Sequence, residues 1–121
     1  MKDVPLLVQT IADVTVVDLH SASILDGIAI EALGKHLFAL VDEQARRKIV
    51  VDFSQVKLLS SMMLGVLVRL QKRAETINGR VVLCGLRPDL MKVFKITQLH
   101  KLFQFCKDEN EAMNSFDVYM A

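Results

Sequence analysis

The sequence has no apolar run long enough to cross a membrane. Its 121 residues are 52% hydrophobic and its mean hydropathy is +0.35, yet no uncharged apolar stretch approaches the roughly 20 residues that a membrane-spanning helix needs. The densest run, residues 62–68, ends at Arg69. The first residues include Asp3 and Pro5 and lack the apolar core of a signal peptide. We therefore expect one cytoplasmic domain over residues 1–121, without membrane insertion.

The sequence also lacks an excess of charge of either sign and a cysteine framework. Its 15 Lys and Arg residues and 14 Asp and Glu residues are interleaved and give a net charge of +1, so nothing indicates direct binding to nucleic acid. The two cysteines, Cys84 and Cys106, lie in apolar, strand-like runs without the spacing of metal ligands. We expect both to be buried, reduced thiols of a cytosolic protein.

Sequence patterns of catalysis are missing as well. The chain contains no Gly-x-Ser-x-Gly elbow, no glycine-rich phosphate loop and no paired arrangement of cysteine and histidine. Its histidines, His20, His36 and His100, are scattered and form no metal-ligand pattern. We therefore expect a binding protein rather than an enzyme, with no cofactor and no metal.

The stretch between Lys48 and Arg80 contains the strongest structural signals that the sequence does have. Residues 49–51 are adjacent, β-branched and apolar, which predicts a strand covered on both faces. After Ser60 and Ser61, apolar residues recur at helical intervals until Asn78-Gly79, which suits a helix end. These apolar positions are Met63, Leu67, Leu70, Ala74 and Ile77. The pattern places two hydroxyls at a helix N-terminus, where free backbone N–H groups favour an anionic group.

Strands and helices alternate along the rest of the chain. We expect strands at residues 6–8, 14–17, 81–84 and 102–105, the first two joined by a tight turn into an antiparallel hairpin. Further helices are expected after a cap at Asp26, at Pro88, and at a capping box formed by Asp108 and Glu111. Ala112, Phe116 and Tyr119 are expected on one face of the last helix. The order ββαβαβαβα predicts a single α/β domain with a mostly parallel sheet and about four helices.

The carboxyl ends of the parallel strands are the expected place for a site. Loops at this edge gather Asp26, Ser60, Ser61, Gly85 and Arg87. In open α/β sheets, sites form at this edge because the connecting loops converge there. We therefore look for function at this edge first.

Several segments of the chain are similar to one known family. They are Val51-Asp52-Phe53-Ser54, Ser60-Ser61, Leu64-Gly65-Val66, Asn78-Gly79 and Val82-Leu83-Cys84. Together they resemble STAS domains of the anti-sigma factor antagonist type, in which a strand is followed by Asp-Ser-Ser-Gly-Leu-Gly and a helix. Residues 93–99 are similar to the end of the family's third helix, so that the resemblance covers nearly the whole chain.

The resemblance implies a function based on exchange of protein partners. In the family, an anti-sigma factor that is also a serine kinase phosphorylates the first serine of the pair, and the unphosphorylated protein binds that kinase and releases the sigma factor. Here Ser61 falls on the phosphoacceptor, Leu64 and Gly65 on the Leu-Gly, and Asp26 on an acidic position of the partner-binding edge. Together with the residues gathered at the sheet edge and at the start of the helix, the resemblance leads us to expect a partner-binding set made of Asp26, Ser60, Ser61, Met62, Met63, Gly65 and Arg87.

Two departures from the family pattern bear on this implication. Ser60 stands where the family commonly has aspartate, and Met62-Met63 replaces Ser-Gly. The first change removes a charge beside the acceptor hydroxyl. The second makes the start of the helix bulkier and more apolar, which is compatible with binding a partner through this edge.

Other interpretations of the same residues are open. Ser60 and Ser61 can serve as helix caps without further chemistry, and Met62 suits either a core or a partner surface. Arg87 fits a solvated loop residue better than a phosphate ligand. Asp52 ends the central strand as a response-regulator phosphoacceptor would, but no acidic pair is expected at the end of an earlier strand to hold magnesium beside it.

Two alternative functions belong to different classes. One is an accessory subunit with the STAS fold that binds a transporter or a signalling scaffold without phosphorylation. The other is a sensor with the same fold that binds a small ligand.

Overall fold

The computed structural model of the chain describes residues 6–119. It consists of seven strands and four α-helices within this range. In chain order these are β1 (Leu6–Ile11), β2 (Val14–Leu19), β3 (Ser23–Ile24), α1 (Gly27–Asp42), β4 (Lys48–Asp52), β5 (Leu58–Leu59), α2 (Ser61–Thr76), β6 (Arg80–Cys84), α3 (Pro88–Ile96), β7 (Gln104–Cys106) and α4 (Glu109–Ser115). None of these helices is both long enough and apolar enough to cross a membrane.

The main sheet has five strands in the order β1-β2-β4-β6-β7, and a separate two-stranded sheet joins β3 to β5. β1 and β2 are antiparallel and connected at Ala12, whose φ of 57° provides the tight turn. All other pairs in both sheets are parallel. The prediction of a mostly parallel sheet with an antiparallel hairpin and four helices is confirmed.

The strands alternate their side chains between two apolar clusters of unequal size. Ile49 and Val51 of β4 face the larger cluster, which α1, α2 and α3 cover. Val50 between them faces the smaller cluster, which is covered by α4. This alternation is the two-residue period of a strand, and it confirms that the central strand is buried on both faces.

Helix α2 packs its predicted apolar stripe against the larger cluster. Met63, Leu67, Leu70 and Ala74 are all 0% exposed. On its flank α2 meets α1, where a Cβ added at Gly34 would lie 3.5 Å from Val66 Cγ2. This close contact fixes α1 and α2 side by side, so that their N-terminal ends lie at the same edge of the domain.

The structure corrects the sequence predictions near the end of the chain. The last strand is Gln104–Cys106 and not residues 102–105, because Phe103 turns into the core and packs edge-on against Phe94, with ring centroids 6.1 Å apart. Helix α4 ends at Ser115, and Tyr119 beyond it is 73% exposed. Tyr119 therefore does not share the buried face of Ala112 and Phe116.

Candidate functional site

The two adjacent serines begin helix α2 and have different environments. Ser60 is the N-cap: its Oγ accepts a hydrogen bond from the backbone N–H of Met63 at 3.3 Å. Its own backbone N–H donates to the carbonyl oxygen of Ile24 at 3.0 Å. Ser61, the first helical residue, has an exposed side chain. The cap is therefore Ser60, while the hydroxyl of Ser61 is accessible to another molecule.

The start of α2 suits a negative charge on Ser61. Its first turn contains no acidic residue, and backbone N–H groups in the first turn of a helix lack intrahelical partners. The helix dipole adds a partial positive charge at the same place. A phosphate on Ser61 would thus be compatible with the folded domain.

The short strands β3 and β5 bring the start of α1 beside the start of α2. Their register pairs Ile24 with Leu59, and α1 and α2 follow within a few residues. Asp26 caps α1 by accepting a hydrogen bond from the backbone N–H of Ile28 at 2.9 Å. A Cβ added at Gly27 would lie 3.8 Å from the sulfur of Met62, so Met62 lies across the first turn of α1.

Large apolar side chains around these two helix starts are exposed. Leu25 is 54% exposed, Ile28 78%, Leu58 53% and Met62 45%. We refer to these residues together with Asp26 and Ser61 as the α1–α2 face. Apolar side chains that are exposed together on one surface are typical of a protein-interaction site. The sequence predicted Met62 and Asp26 here but missed Leu25, Ile28 and Leu58.

Three other residues of the predicted partner-binding set stand apart from this face. Met63 is 0% exposed, so its inclusion was wrong: helical periodicity turns it into the core. Gly65 is half-buried in the second turn of α2 beside Arg69. Arg87 is exposed and caps α3, and its ion pair in the described part of the chain is with Asp89 at 3.7 Å. Within residues 6–119 no hydrogen bond joins Arg87 to Ser60 or Ser61.

An acidic cluster that the sequence did not predict lies on the opposite face of the same sheet edge. Asp18 is the second-last residue of β2, Asp52 ends β4, and the parallel register places them side by side. Glu109, in the first turn of α4, completes a set whose carboxylate oxygens lie within 4.8 Å of one another. Within residues 6–119 the earlier strand thus supplies one acid, Asp18, beside Asp52, and not the acidic pair of a response regulator, since Glu109 comes from a later helix.

Two carboxyl groups of this cluster, those of Glu109 and Asp52, share a proton. Hydrogen bonding to Asp52, then to Asp18, together with burial, raises the pKa of Glu109 to about 9. Burial alone would raise the pKa of Asp52, but hydrogen bonds from Glu109 and from the backbone N–H of Ser54 outweigh it and lower that pKa. At neutral pH a protonated Glu109 thus donates to an ionised Asp52. Three oxygens at this spacing also suit Mg²⁺ or Ca²⁺.

Gly85 follows β6 and is placed tightly against Asp52. Its φ is +72°, and a Cβ there would lie 2.7 Å from Asp52 Oδ1. A side chain at this position would be both strained and in collision with the carboxylate. The predicted place of Gly85 at the sheet edge is explained by its contact with Asp52, and nothing places it in the α1–α2 face.

The cysteines are free thiols in paired positions of β6 and β7. Cys84 is fully buried, whereas Cys106 is half-buried, so burial is confirmed for one of the two. Burial raises the pKa of both thiols, and for Cys84 the neighbouring Asp52 carboxylate raises it further. Both are therefore neutral thiols at physiological pH and poor nucleophiles.

Comparison of the sequence with known proteins identifies a family. A model of the STAS domain matches residues 6–112 of this chain. BtrV of Bordetella bronchiseptica, which carries a provisional description as an anti-sigma factor antagonist, is 31% identical over 86 residues, or 71% of this chain and 73% of BtrV.

Comparison of the structure with solved structures gives the same fold. An anti-sigma-factor antagonist (STAS) domain protein from Planctomyces limnophilus has a TM-score of 0.80 at 23% identity, covering 91% of this chain and 95% of its own. The Bacillus cell fate determinant SpoIIAA in its phosphorylated form has a TM-score of 0.72 at 20% identity, covering 92% and 98%. Unphosphorylated SpoIIAA has a TM-score of 0.73 at 18% identity, covering 93% and 97%.

Proposed function

This chain belongs to the STAS domain family, and from that premise we propose that it is an anti-sigma factor antagonist that acts by partner switching. Its partner is an anti-sigma factor that is also a serine kinase, and its switch is phosphorylation of Ser61. The observation that carries the proposal is the exposed apolar surface that surrounds an accessible serine at a helix N-terminus.

The α1–α2 face supports binding of a protein partner. Its apolar side chains come from four separate segments at the starts of α1 and α2, near which Ser61 lies, and exposed apolar side chains of this kind suit the centre of an interface. Asp26 adds one carboxylate at the edge of this surface, where a cation of the partner can pair with it. Burial of Ile28 and Met62 supplies affinity, while Asp26 contributes orientation.

Phosphorylation of Ser61 supports switching because it changes the charge at the middle of this surface. A phosphoserine carries about −1.5 to −2 charges near pH 7. In the free domain the N-terminus of α2 accommodates that charge. Against an apolar partner surface the phosphate must be desolvated, which weakens the complex. Among proteins of the same fold, SpoIIAA has been solved both with and without phosphate.

A second candidate is a STAS subunit that binds a scaffold without phosphorylation. Ser60 and Met62 favour it, because they make the neighbourhood of Ser61 less polar than the family pattern. Another structure of this fold, with a TM-score of 0.70 at 16% identity, is that of the stressosome, described as a signal integration and transduction hub. The two candidates differ in whether a charge on Ser61 changes the affinity for the partner.

Isothermal titration of the full chain with its co-purified anti-sigma factor kinase distinguishes the two candidates. We expect Ser61→Ala to bind like the unphosphorylated protein and Ser61→Asp to bind at least about tenfold more weakly, or about 1.4 kcal/mol. Gln9→Glu, on the exposed strand β1, adds the same charge away from the face and should leave the affinity unchanged. Equal affinities for the wild type and both Ser61 variants would favour the scaffold.

Two exposed isoleucines provide a matched test of the α1–α2 face itself. Ile28 is 78% exposed on α1, and Ile96 is 79% exposed on α3. We expect Ile28→Ala to weaken the partner complex by about 1–2 kcal/mol, as for an apolar residue in an interface centre. Ile96→Ala should bind normally. The opposite ranking would place the partner on another surface.

A further inference from the structure

A cavity with a volume of about 360 Å³ opens at the amino end of the parallel strands, opposite the edge that carries Ser61. It lies between the starts of β4 and β6 and the end of α4. Its lining residues are Arg47, Lys48, Asn78, Gly79, Arg80, Ser115, Phe116 and Asp117. A second cavity of about 480 Å³ shares Arg47 and Lys48 with the first. Volumes of this size are typical of small-molecule sites.

Arg80 is held in one orientation at this cavity without an acidic partner. Its guanidinium carbon lies 4.2 Å from the ring centroid of Phe116. One N–H donates to the carbonyl oxygen of Ser115 at 2.6 Å, and another donates to the side-chain oxygen of Gln104. Within residues 6–119 no carboxylate forms an ion pair with Arg80. Its remaining N–H donors and its full charge are available to a ligand.

Arg47 supplies a second cation to the lining of the cavity. The backbone N–H of Arg80 donates to the carbonyl oxygen of Arg47 at 2.8 Å. A Cβ added at Gly79 would lie only 2.5 Å from that same oxygen, so glycine is what allows the two strand starts to approach. The Arg47 side chain is exposed and, in the described part of the chain, takes part in no ion pair or hydrogen bond.

The balance of charge in the cavity favours an anion. Three cations, Arg47, Lys48 and Arg80, face one carboxylate, Asp117, while the whole chain has a net charge of only +1. Lys48 is partly neutralised by Asp13, whose carboxylate lies 2.7 Å from its Nζ. Cations at helix C-termini also stabilise the helix dipole, which accounts for Arg80 at the end of α4. The helix dipole of α4 explains the position of Arg80 but does not explain that of the Arg47 side chain.

We propose that this cavity binds the phosphate group of a small molecule through Arg47 and Arg80. A guanidinium presents parallel N–H donors that match phosphate oxygens, and two guanidiniums can share one phosphate. Asn78 and Lys48 line the cavity and supply further donors. The limited volume and the near-neutral charge of the whole chain favour a small ligand over a nucleic acid. This site is independent of the partner switch at Ser61.

Titration of the ¹⁵N-labelled full chain with pyrophosphate, with ADP and with inorganic phosphate at low salt tests the proposal. We expect pyrophosphate and ADP to shift the amide signals of residues 47–48, 78–80 and 115–117. Inorganic phosphate should act more weakly at the same residues, which distinguishes a free anion from the phosphate of a larger molecule. Arg47→Ala should weaken pyrophosphate binding by about tenfold or more, because it removes a charged hydrogen-bond donor.

Lys92→Ala is the matched control, because Lys92 is an exposed cation on α3 outside the cavity. It should bind pyrophosphate like the wild type. Equal weakening in Arg47→Ala and Lys92→Ala would overturn the proposal in favour of general attraction of anions to a cationic surface. The absence of shifts with all three probes at millimolar concentration would overturn it as well.

Discussion

The two faces of the sheet present contrasting groups of side chains at the same carboxyl edge. On the side of α1 and α2, Ser61 stands among exposed apolar residues, and Asp26 supplies a single carboxylate. On the side of α4, Asp18, Asp52 and Glu109 bring three carboxyl groups together. The first group has exposed apolar surface and an accessible hydroxyl, whereas in the second Glu109 and Asp52 share a proton. Exposure, rather than the density of titratable groups, therefore distinguishes the surface that can bind a partner.

The two groups also depend on different parts of the core. The α1–α2 face is supported by the larger apolar cluster, into which α2 inserts Met63, Leu67 and Leu70. The acidic cluster is held by the register of β2 and β4 and by α4, which covers the smaller cluster. Changes to one support should therefore leave the other in place, and the following predictions test that separation.

The largest expected effect comes from removing the support of the α1–α2 face. Leu67 is 0% exposed, so Leu67→Ala should lower the free energy of unfolding by about 2–5 kcal/mol, through lost burial and the cavity left behind. Lys72 is exposed on the same helix, and Lys72→Ala should change that free energy by no more than about 0.5 kcal/mol. Urea unfolding curves provide the measurement. Equal losses in both variants would mean that α2 is oriented differently.

A smaller effect should come from fixing the protonation state of the acidic cluster. The pKa of Glu109 is raised from an ordinary value of 4.5 to about 9. Between these pH values the folded protein keeps a proton that the unfolded chain releases, so this group's contribution to stability falls as pH rises and is lost through pH 9. Glutamine imitates the protonated acid. The free energy of unfolding of Glu109→Gln should therefore increase relative to that of the wild type as pH rises over this range.

Thermal unfolding at a series of pH values measures this difference. Glu31→Gln, at an exposed position of α1, is the control for removing one carboxylate and should follow the wild type at every pH. A constant difference between Glu109→Gln and the wild type from pH 5 to 9 would contradict the shared proton. Partner binding through the α1–α2 face should not change in Glu109→Gln, because the two groups lie on opposite faces of the sheet.

The part of the site near Ser61 was predictable because its signals are contiguous in the sequence. Ser60, Ser61 and the apolar stripe of α2 lie in one segment, and the helical period alone sets their orientation. The same period places Met63 in the core, so its inclusion in the partner-binding set conflicted with the pattern itself. The centre of the main sheet was predictable for a similar reason, since β4 and β6 each contain a run of adjacent apolar residues.

The remaining parts depend on pairings that the sequence does not display. β3 and β5 have two residues each, too few to show an alternating pattern, so the exposed residues beside them went unrecognised. The acidic cluster requires the register that aligns Asp18 with Asp52, and the docking of α4 that brings Glu109 to them. These residues are distant in the sequence, and single acidic residues are common at strand ends without any partner.

The smallest expected effect concerns Ser60, the residue that precedes the proposed phosphoacceptor Ser61. Ser60 Oγ is already used as the cap of α2, accepting from the backbone N–H of Met63. Aspartate is as good an N-cap as serine and adds a charge that the helix dipole favours. Ser60→Asp should therefore leave the fold unchanged, and urea unfolding should show no loss of stability. Any effect of the substitution on phosphorylation then reports on the chemistry at Ser61 alone.

We expect Ser60→Asp to raise the rate at which the cognate kinase phosphorylates Ser61. A carboxylate has two oxygens, so that one can cap α2 while the other accepts a hydrogen bond from the Ser61 hydroxyl and orients it for transfer. A carboxylate also repels the incoming phosphate, but magnesium and the cations of the kinase screen that charge during transfer. The orienting effect on the Ser61 hydroxyl should therefore outweigh the repulsion of the phosphate. Phosphopeptide mass spectrometry over a time course measures both rates. Faster transfer to the wild type would rule out the orienting role. Phosphate on Ser60 in the wild type would mean that Ser60, and not Ser61, corresponds to the family's phosphoacceptor.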